Sequence, residues 1–346
     1  MKIDSFNYNT LMFFLVRCCF AGMSINNLLV ISRSDGWISI IFATILSVVP
    51  LYIFYYFNEN YPGKTIFEVI EEYFDKNIGK IINYSLCGFV LFLAAITFWN
   101  LMNFVTSQFL YKTPTLPIAL LFIGAIIYVN NKGIATLFRV STILFYINIV
   151  LFLIIFLTLF SQIKLSLLFP PLRNGFMPIV KGSLHFMAYN ILPLFMLLAI
   201  PKNKVDTNPT KNKIIMYLIA VFSLFGMLFV VLSIYGIDIA ILLQYPEFHI
   251  LKRLSLMGII ERVENILSIQ WAFDFFIFLS FCVYFINCYT KINNYIIGVV
   301  IMFLSFYIFK NYSSGNLFIL NVLPYLCFLF FLGTPLYLII KKQKNK

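Results

Sequence analysis

Long uninterrupted apolar blocks dominate this sequence and restrict what the chain can fold into. One of them, residues 295–309, reads YIIGVVIMFLSFYIF, and similar blocks recur from end to end. A helix needs about 20 apolar residues to cross a bilayer, and these blocks approach that length. Both faces of each block are apolar, whereas the strands of a membrane barrel alternate apolar and polar residues. The sequence therefore predicts a polytopic, all-α integral membrane protein.

The composition excludes a water-soluble domain. Hydrophobic residues make up 62% of the chain and charged residues 11%, whereas a soluble domain carries about 25% charged residues. The net charge of +12 comes from Lys and Arg in the connections between apolar blocks, which is where membrane topology places them. We therefore expect no nucleic-acid partner.

The apolar blocks predict ten spans. They cover residues 10–32, 37–57, 81–109, 117–129, 135–160, 179–200, 214–235, 266–289, 295–309 and 317–340. We interpret the chain, residues 1–346, as a single transmembrane permease-like domain. A division into two five-helix repeats, residues 1–161 and 175–346, is expected.

The Lys and Arg residues of the connections predict the orientation. With the N-terminus inside, the inner connections hold fifteen of them and the outer connections nine. Cytoplasmic connections of membrane proteins carry the excess of these residues. Both termini are therefore predicted to be cytoplasmic.

Residues that would mark an enzyme or a metal site are scarce. The two histidines are His185 and His249, and no cluster of Cys, His and carboxylates has metal-ligand spacing. The six cysteines form no Cys-x-x-Cys pair, and the sequence lacks a phosphate-binding glycine loop. We therefore predict no catalytic activity, no metal and no cofactor.

Two spans are interrupted by polar or small residues. The first contains GMSINN at residues 22–27, and the sixth contains His185, Asn190 and Pro193. In many transporters, two discontinuous helices at corresponding positions of inverted repeats supply backbone groups for a substrate site. The first and sixth of ten spans occupy such positions, so the pattern predicts a ligand site between them. The alternative is two kinked helices whose polar residues bond to neighbouring helices.

A few polar residues stand alone inside spans. Arg17 of the first span extends to the lipid headgroups, pairs with Asp274 of the eighth, or lines a water-filled cavity. Asp274 is a candidate for that pairing or for proton coupling. Asn103, one turn from Asn100 in the third span, is interpreted as a hydrogen-bonding residue between helices.

Two connections carry helical patterns. Thr65 and Glu68 have the spacing of a capping box, which predicts a short interfacial helix on the cytoplasmic side. The outer connection, residues 236–265, has apolar residues at helical spacing together with Glu261 and Arg262. We predict an amphipathic helix there that caps the extracellular entrance.

A series of short motifs also runs along the chain. They are Ala21-Gly22-Met23-Ser24, Arg33-Ser34-Asp35-Gly36-Trp37, Tyr61-Pro62, Lys112-Thr113-Pro114, Gly133-Ile134-Ala135 with Phe138-Arg139, Tyr245-Pro246, and Glu261-Arg262-Val263-Glu264 followed by Trp271. In this order the motifs resemble those of the endospore germination permease family, the B-type subunits of spore germinant receptors. The resemblance extends over essentially the whole chain.

The resemblance implies a fold and a role. The fold is related to the amino acid–polyamine–cation transporters and has ten helices in inverted five-helix repeats. The role is germinant sensing in the spore inner membrane, beside an A-type and a C-type partner subunit. By this resemblance the unwound parts of the first and sixth helices hold Gly22, Met23, Ser24, Ile25, Ala188, Tyr189 and Asn190. The family often has a Gly-Glu pair in the sixth helix, and this chain has neither residue there.

Three functions fit these patterns. The first is a germinant-sensing subunit that binds a small, amino acid-like nutrient. The second is a proton- or ion-coupled amino acid permease, although the first and sixth spans lack a coupling carboxylate. The third is a structural or conducting subunit without its own ligand, which would fit a centre filled by Met23 and Tyr189.

Overall fold

Helices account for almost all regular structure in this protein. The computed structural model describes residues 3–19, 23–74, 76–110, 112–206, 210–252, 264–309 and 311–344. Across these ranges no strand forms, and the sole β-type pairing is a parallel bridge between Ile3 and Val205. The prediction of an all-α fold is therefore confirmed.

Eight α-helices precede residue 165 and eight follow it within the described ranges. The first eight are α1 (Ser5–Arg17), α2 (Ile25–Ser32), α3 (Gly36–Leu46), α4 (Val48–Asn60), α5 (Ile66–Tyr73), α6 (Lys76–Phe104), α7 (Thr115–Asn131) and α8 (Ile134–Phe160). The others are α9 (Met177–Phe186), α10 (Thr210–Ala240), α11 (Pro246–Leu251), α12 (Glu264–Thr290), α13 (Asn294–Tyr307), α14 (Tyr312–Asn321), α15 (Leu323–Cys327) and α16 (Thr334–Lys344).

The helices match the predicted spans in place. Within the described ranges, seven helical stretches are long and apolar enough to cross a membrane, and α13 with α14 makes an eighth if this pair, bent by 108°, counts as one span. Each predicted span falls on one to three of the α-helices. The number ten, the single domain of residues 1–346 and the repeats of residues 1–161 and 175–346 stay predictions.

The first span is broken where the sequence predicts a break. Helix α1 ends at Arg17 and α2 begins at Ile25, and a wide π-type turn at residues 23 and 24 leads into α2. The backbone N–H of Ser24 donates to the carbonyl of Cys19 at 3.0 Å. Gly22, the residue expected to open this helix, lies outside the described residues.

The sixth span changes geometry in the same manner. Helix α9 ends at Phe186, a π-helical turn covers Met187–Ile191, and 3₁₀ geometry continues over Leu192–Ala199. Pro193 stands at the start of the 3₁₀ segment, where its missing N–H cannot continue the α-helical bonding. Both interruptions therefore lie where the polar and proline residues predict them.

The capping box in the first inner connection is confirmed. Thr65 Oγ1 accepts from the N–H of Glu68 at 3.3 Å, and Glu68 Oε2 accepts from the N–H of Thr65 at 2.7 Å. The resulting helix α5 packs on the bundle: Asn83 of α6 donates to the Phe67 carbonyl, and Tyr289 of α12 donates to Glu71. Its apolar face is buried by protein, which differs from the interfacial helix that we expected.

Part of the outer connection lies within the described residues. Helix α11 covers Pro246–Leu251, and Tyr245 before it packs against Phe104 and Trp271 with ring centroids 5.1 and 6.0 Å apart. This contact places α11 over one end of α6 and α12. The remainder of the predicted amphipathic helix, including Glu261 and Arg262, lies outside the described residues.

Candidate functional site

The two broken helices meet at the end of α1. Asn190 Nδ2 donates to the backbone carbonyl of Val16 at 2.7 Å. The last carbonyls of a helix have no partner within that helix, so the Asn190 amide satisfies one of them. The π-turn of the sixth span thus holds the open end of the first.

Buried polar atoms remain unsatisfied around this junction. Ser24 and Asn190 are fully buried, and neither Ser24 Oγ nor Asn190 Oδ1 has a hydrogen-bond partner among the described residues. An unsatisfied buried polar atom costs about 1–3 kcal/mol, and native proteins retain few of them. A bound polar group or water would remove this cost.

The rest of the junction is filled by side chains. The predicted ligand-binding residues that the structure describes are all buried: Met23, Ser24, Ile25, Ala188, Tyr189 and Asn190. The Tyr189 hydroxyl donates to the Ile319 carbonyl of α14, and the Asn27 side chain lies beside that hydroxyl. The sixth-span segment therefore contacts the first span on both sides of its break, at Val16 and at Asn27.

A buried ion pair lies directly before the break in the first span. Arg17 Nη2 is 3.1 Å from Asp274 Oδ2, and Arg17 Nε donates to Asp274 Oδ1 at 3.2 Å. Both side chains are 5% exposed. The expectation that Arg17 reaches the lipid headgroups is therefore wrong, because its guanidinium is bound in two places to a carboxylate inside the bundle.

Polar side chains from three helices surround this ion pair. Arg17 Nη1 donates to Ser223 Oγ of α10, and Asn148 Nδ2 of α8 donates to Asp274 Oδ1 at 3.3 Å. Gln270 Nε2, one turn before Asp274 on α12, donates to the Asn148 carbonyl at 2.8 Å. A buried charge pair is stable only when its remaining hydrogen-bonding groups are satisfied. Ser223 and Asn148 bond to the pair directly, and Gln270 holds Asn148 in place.

Sequence reasoning missed these three partners. Gln270 precedes Asp274 by four residues, so both lie on one face of an apolar helix. Asn148 is an isolated amide within the fifth span. Gln270 and Asn148 were both visible in the sequence as polar residues within spans. Only the packing of α1 against α8 and α12 shows that they belong to the site of Arg17.

Asn103 behaves differently from the prediction. Its Nδ2 donates to the Trp99 carbonyl at 3.0 Å, one turn earlier in the same helix. That bond lies within α6 and does not join two helices. The structural role predicted for Glu261 and Arg262 stays a prediction, because both lie outside the described residues.

Comparison with known proteins decides the family. The sequence profile of the family described as spore germination protein matches residues 9–313. The chain belongs to this family.

Relatives within the spore germination protein family come from two Bacillus species. Spore germination protein YndE of Bacillus subtilis is 25% identical over 252 residues, which is 70% of this chain and 67% of the relative. Spore germination protein A2 of the same species is 25% identical over 288 residues, or 78% of this chain and 77% of the relative. Spore germination protein XB of Bacillus anthracis is 22% identical over 280 residues, or 78% of this chain and 77% of the relative.

A solved transporter shares the fold of this spore germination protein. A Na⁺-coupled sialic acid symporter, in a substrate-bound outward-open state, superimposes with a TM-score of 0.63 at 14% sequence identity. The superposition covers 94% of this chain and 78% of the symporter. The chain is thus a multi-pass membrane protein with a transporter-like fold, related to germination by its family.

Proposed function

We propose that the chain is the germinant-sensing, B-type subunit of a spore germination receptor. In this proposal it lies in the spore inner membrane with both termini in the cytoplasm, and it assembles with an A-type and a C-type subunit. Its ligand is a small, amino acid-like nutrient. The names of its relatives, all spore germination proteins, support the link to germination.

The unsatisfied atoms at the junction of the broken helices carry this proposal. Ser24 Oγ is a donor or an acceptor and Asn190 Oδ1 is an acceptor, and both are buried without a partner among the described residues. Residues 23–25 and 188–190 include no charged side chain. Such a site suits a neutral polar group or an N–H donor of the ligand, and its closed state requires an opening motion before the ligand enters.

A coupled permease is the weaker alternative. Asp274 is the predicted candidate for proton coupling, and it is already held by Arg17 and Asn148. A carboxylate engaged in this way compensates a fixed charge inside the bundle. We therefore assign Asp274 a structural role and no role in proton transfer.

A subunit without its own ligand is the second candidate. Met23 and Tyr189 are 1% and 0% exposed, so large side chains occupy the space where a ligand would lie. In that case the partner subunits would recognise the nutrient. The two candidates differ in whether a substitution at the junction changes the nutrient concentration that starts germination.

Spores that lack this chain should lose their response to one class of nutrient and keep their response to others. We expect this result because a sensing subunit determines which ligand starts germination. The measurement is the germination of deleted spores, and of spores complemented with the wild-type chain, against separate panels of amino acids, sugars and nucleosides. An unchanged response to every nutrient would refute the sensing role.

A further inference from the structure

A groove of about 390 Å³ lies on the side of the bundle, and its lining includes none of the described residues at the junction between the broken helices. Its walls are α4 and α10, and Met12 of α1, before the break in the first span, also lines it. A hydrogen bond of 2.8 Å from Tyr217 to Ser47 joins the two walls. Small-molecule sites in proteins have volumes of about 300–1,000 Å³, so the groove is large enough for one ligand.

Most of the groove is apolar and open to the surroundings. Val48, Tyr52 and Leu218 line it, with 66%, 64% and 46% of their surface exposed. These residues belong to stretches of helix that are long and apolar enough to span a membrane. In a membrane-spanning protein, such exposed apolar residues face lipid acyl chains.

One end of the groove is charged. Lys202 Nζ lies 2.5 Å from Glu59 Oε1, and Glu59 also interacts electrostatically with Lys213. All three residues line the groove. Two lysines and one carboxylate leave a net positive charge at this end. The Lys213 Nζ atom lies over the Tyr8 ring, 5.6 Å from the ring centroid.

We propose that this groove binds one anionic phospholipid. An apolar channel that ends in a net positive cluster complements an acyl chain that ends in a phosphate. The acyl chain lies along Tyr52 and Leu218, and the phosphate lies against Lys213 and Lys202. A zwitterionic lipid would fill the same channel but would leave the excess positive charge uncompensated.

The bound lipid would tie α1 to the helices beside it. Met12 lies five residues before Arg17 on α1, and Arg17 closes the ion pair at the break in the first span. A lipid that contacts Met12, α4 and α10 together stabilises this arrangement. A ligand that binds only the folded state raises the free energy of unfolding by RT ln(1 + L/Kd), where L is the free ligand concentration.

Thermal unfolding of the purified full-length chain in neutral detergent tests the proposal. Phosphatidylglycerol at saturation should raise the melting temperature by about 5 °C. Phosphatidylcholine with the same acyl chains, and inorganic phosphate alone, should have little effect. The phosphatidylcholine measurement shows whether acyl chains alone stabilise the protein. The phosphate measurement shows whether a free anion alone does so.

Two variants locate the effect in the groove. Lys213→Gln should abolish the difference between the two lipids, and Leu218→Trp should do so by filling the channel while leaving both lysines in place. Lys80→Gln, which removes an exposed lysine from α6, is the matched control and should keep the wild-type shift.

Three results would overturn the lipid site. They are equal stabilisation by both lipids, stabilisation by inorganic phosphate alone, and an unchanged phosphatidylglycerol shift in both groove variants. An absence of any lipid effect on the wild-type chain would also overturn it and would leave the groove to a helix of a partner protein.

Discussion

Asp274→Ala is expected to remove most of the folded protein from the membrane. The substitution leaves the Arg17 guanidinium buried without the carboxylate that binds it at 3.1 and 3.2 Å. Breaking a buried pair by removing one partner costs about 3–5 kcal/mol, and a folded protein has only about 5–15 kcal/mol of net stability. The abundance of the chain in membranes, measured with an epitope tag, gives the result.

A double variant distinguishes the loss of one partner from the loss of the whole ion pair. Arg17→Met with Asp274→Leu should recover much of the lost abundance, because apolar residues of similar volume often replace a buried pair at little cost. Asp238→Ala, at an exposed carboxylate on α10, should leave abundance unchanged. Normal abundance of Asp274→Ala would contradict the buried pair as a source of stability.

Gly182→Ala should have the second largest effect. A Cβ atom at this position would lie 1.9 Å from Ser32 Oγ and 3.0 Å from Ser39 Oγ. Ser32 accepts from Ser39 at 2.8 Å and donates to the Pro178 carbonyl at 3.1 Å, so it cannot move without losing both bonds. Small residues allow membrane helices to approach closely, and overpacking such a contact typically costs about 1–3 kcal/mol.

Matched substitutions test the contact at Gly182. Gly88→Ala is the control, because nothing lies within 4 Å of a Cβ atom placed there. Ser32→Ala combined with Gly182→Ala removes the oxygen that lies closest and should restore part of the abundance. If Gly182→Ala accumulated like Gly88→Ala, the close packing of α9 against α2 and α3 would be wrong.

The helices and both interruptions could be predicted from sequence because their causes are local. The length of each apolar block determines where a span lies. Pro193 changes the helix geometry within one turn, and the capping pair Thr65 and Glu68 starts α5 within one turn. The segment at residues 188–190 lies beside the break in the first span, and the ligand site between them stays a prediction. The family motif residues Tyr245 and Trp271, far apart in sequence, also meet as neighbouring rings.

The details of the junction could not be predicted because they depend on packing between helices. Asn190 was expected to orient a ligand, yet its Nδ2 is bound to the Val16 carbonyl. Arg17 had three plausible positions, and only the approach of α1 to α12 selects Asp274. The role of Gly182 depends on its distance from Ser32, which sequence spacing does not contain.

The bond of Asn190 to Val16 also determines which residue best tests the ligand site. Asn190→Ala would remove a contact between the two broken helices, so a change in response would have two causes. Ser24 makes no such contact among the described residues. Removing an unsatisfied buried hydroxyl should be neutral for stability or slightly stabilising.

The germination dose–response of Ser24→Ala spores is therefore the most direct test of a ligand between the broken helices. We expect normal protein abundance and a three- to tenfold rise in the nutrient concentration for half-maximal response, about the loss of one neutral hydrogen bond. Ser280→Ala is the matched control, because the Ser280 hydroxyl is equally buried and has no partner among the described residues. Ser280 lies about 120° around α12 from Asp274, so it is on a different face of the helix from the ion pair. It should keep the wild-type curve. If Ser24→Ala kept that curve at normal abundance, the junction would not be the germinant site, and the role of a subunit without its own ligand would be favoured.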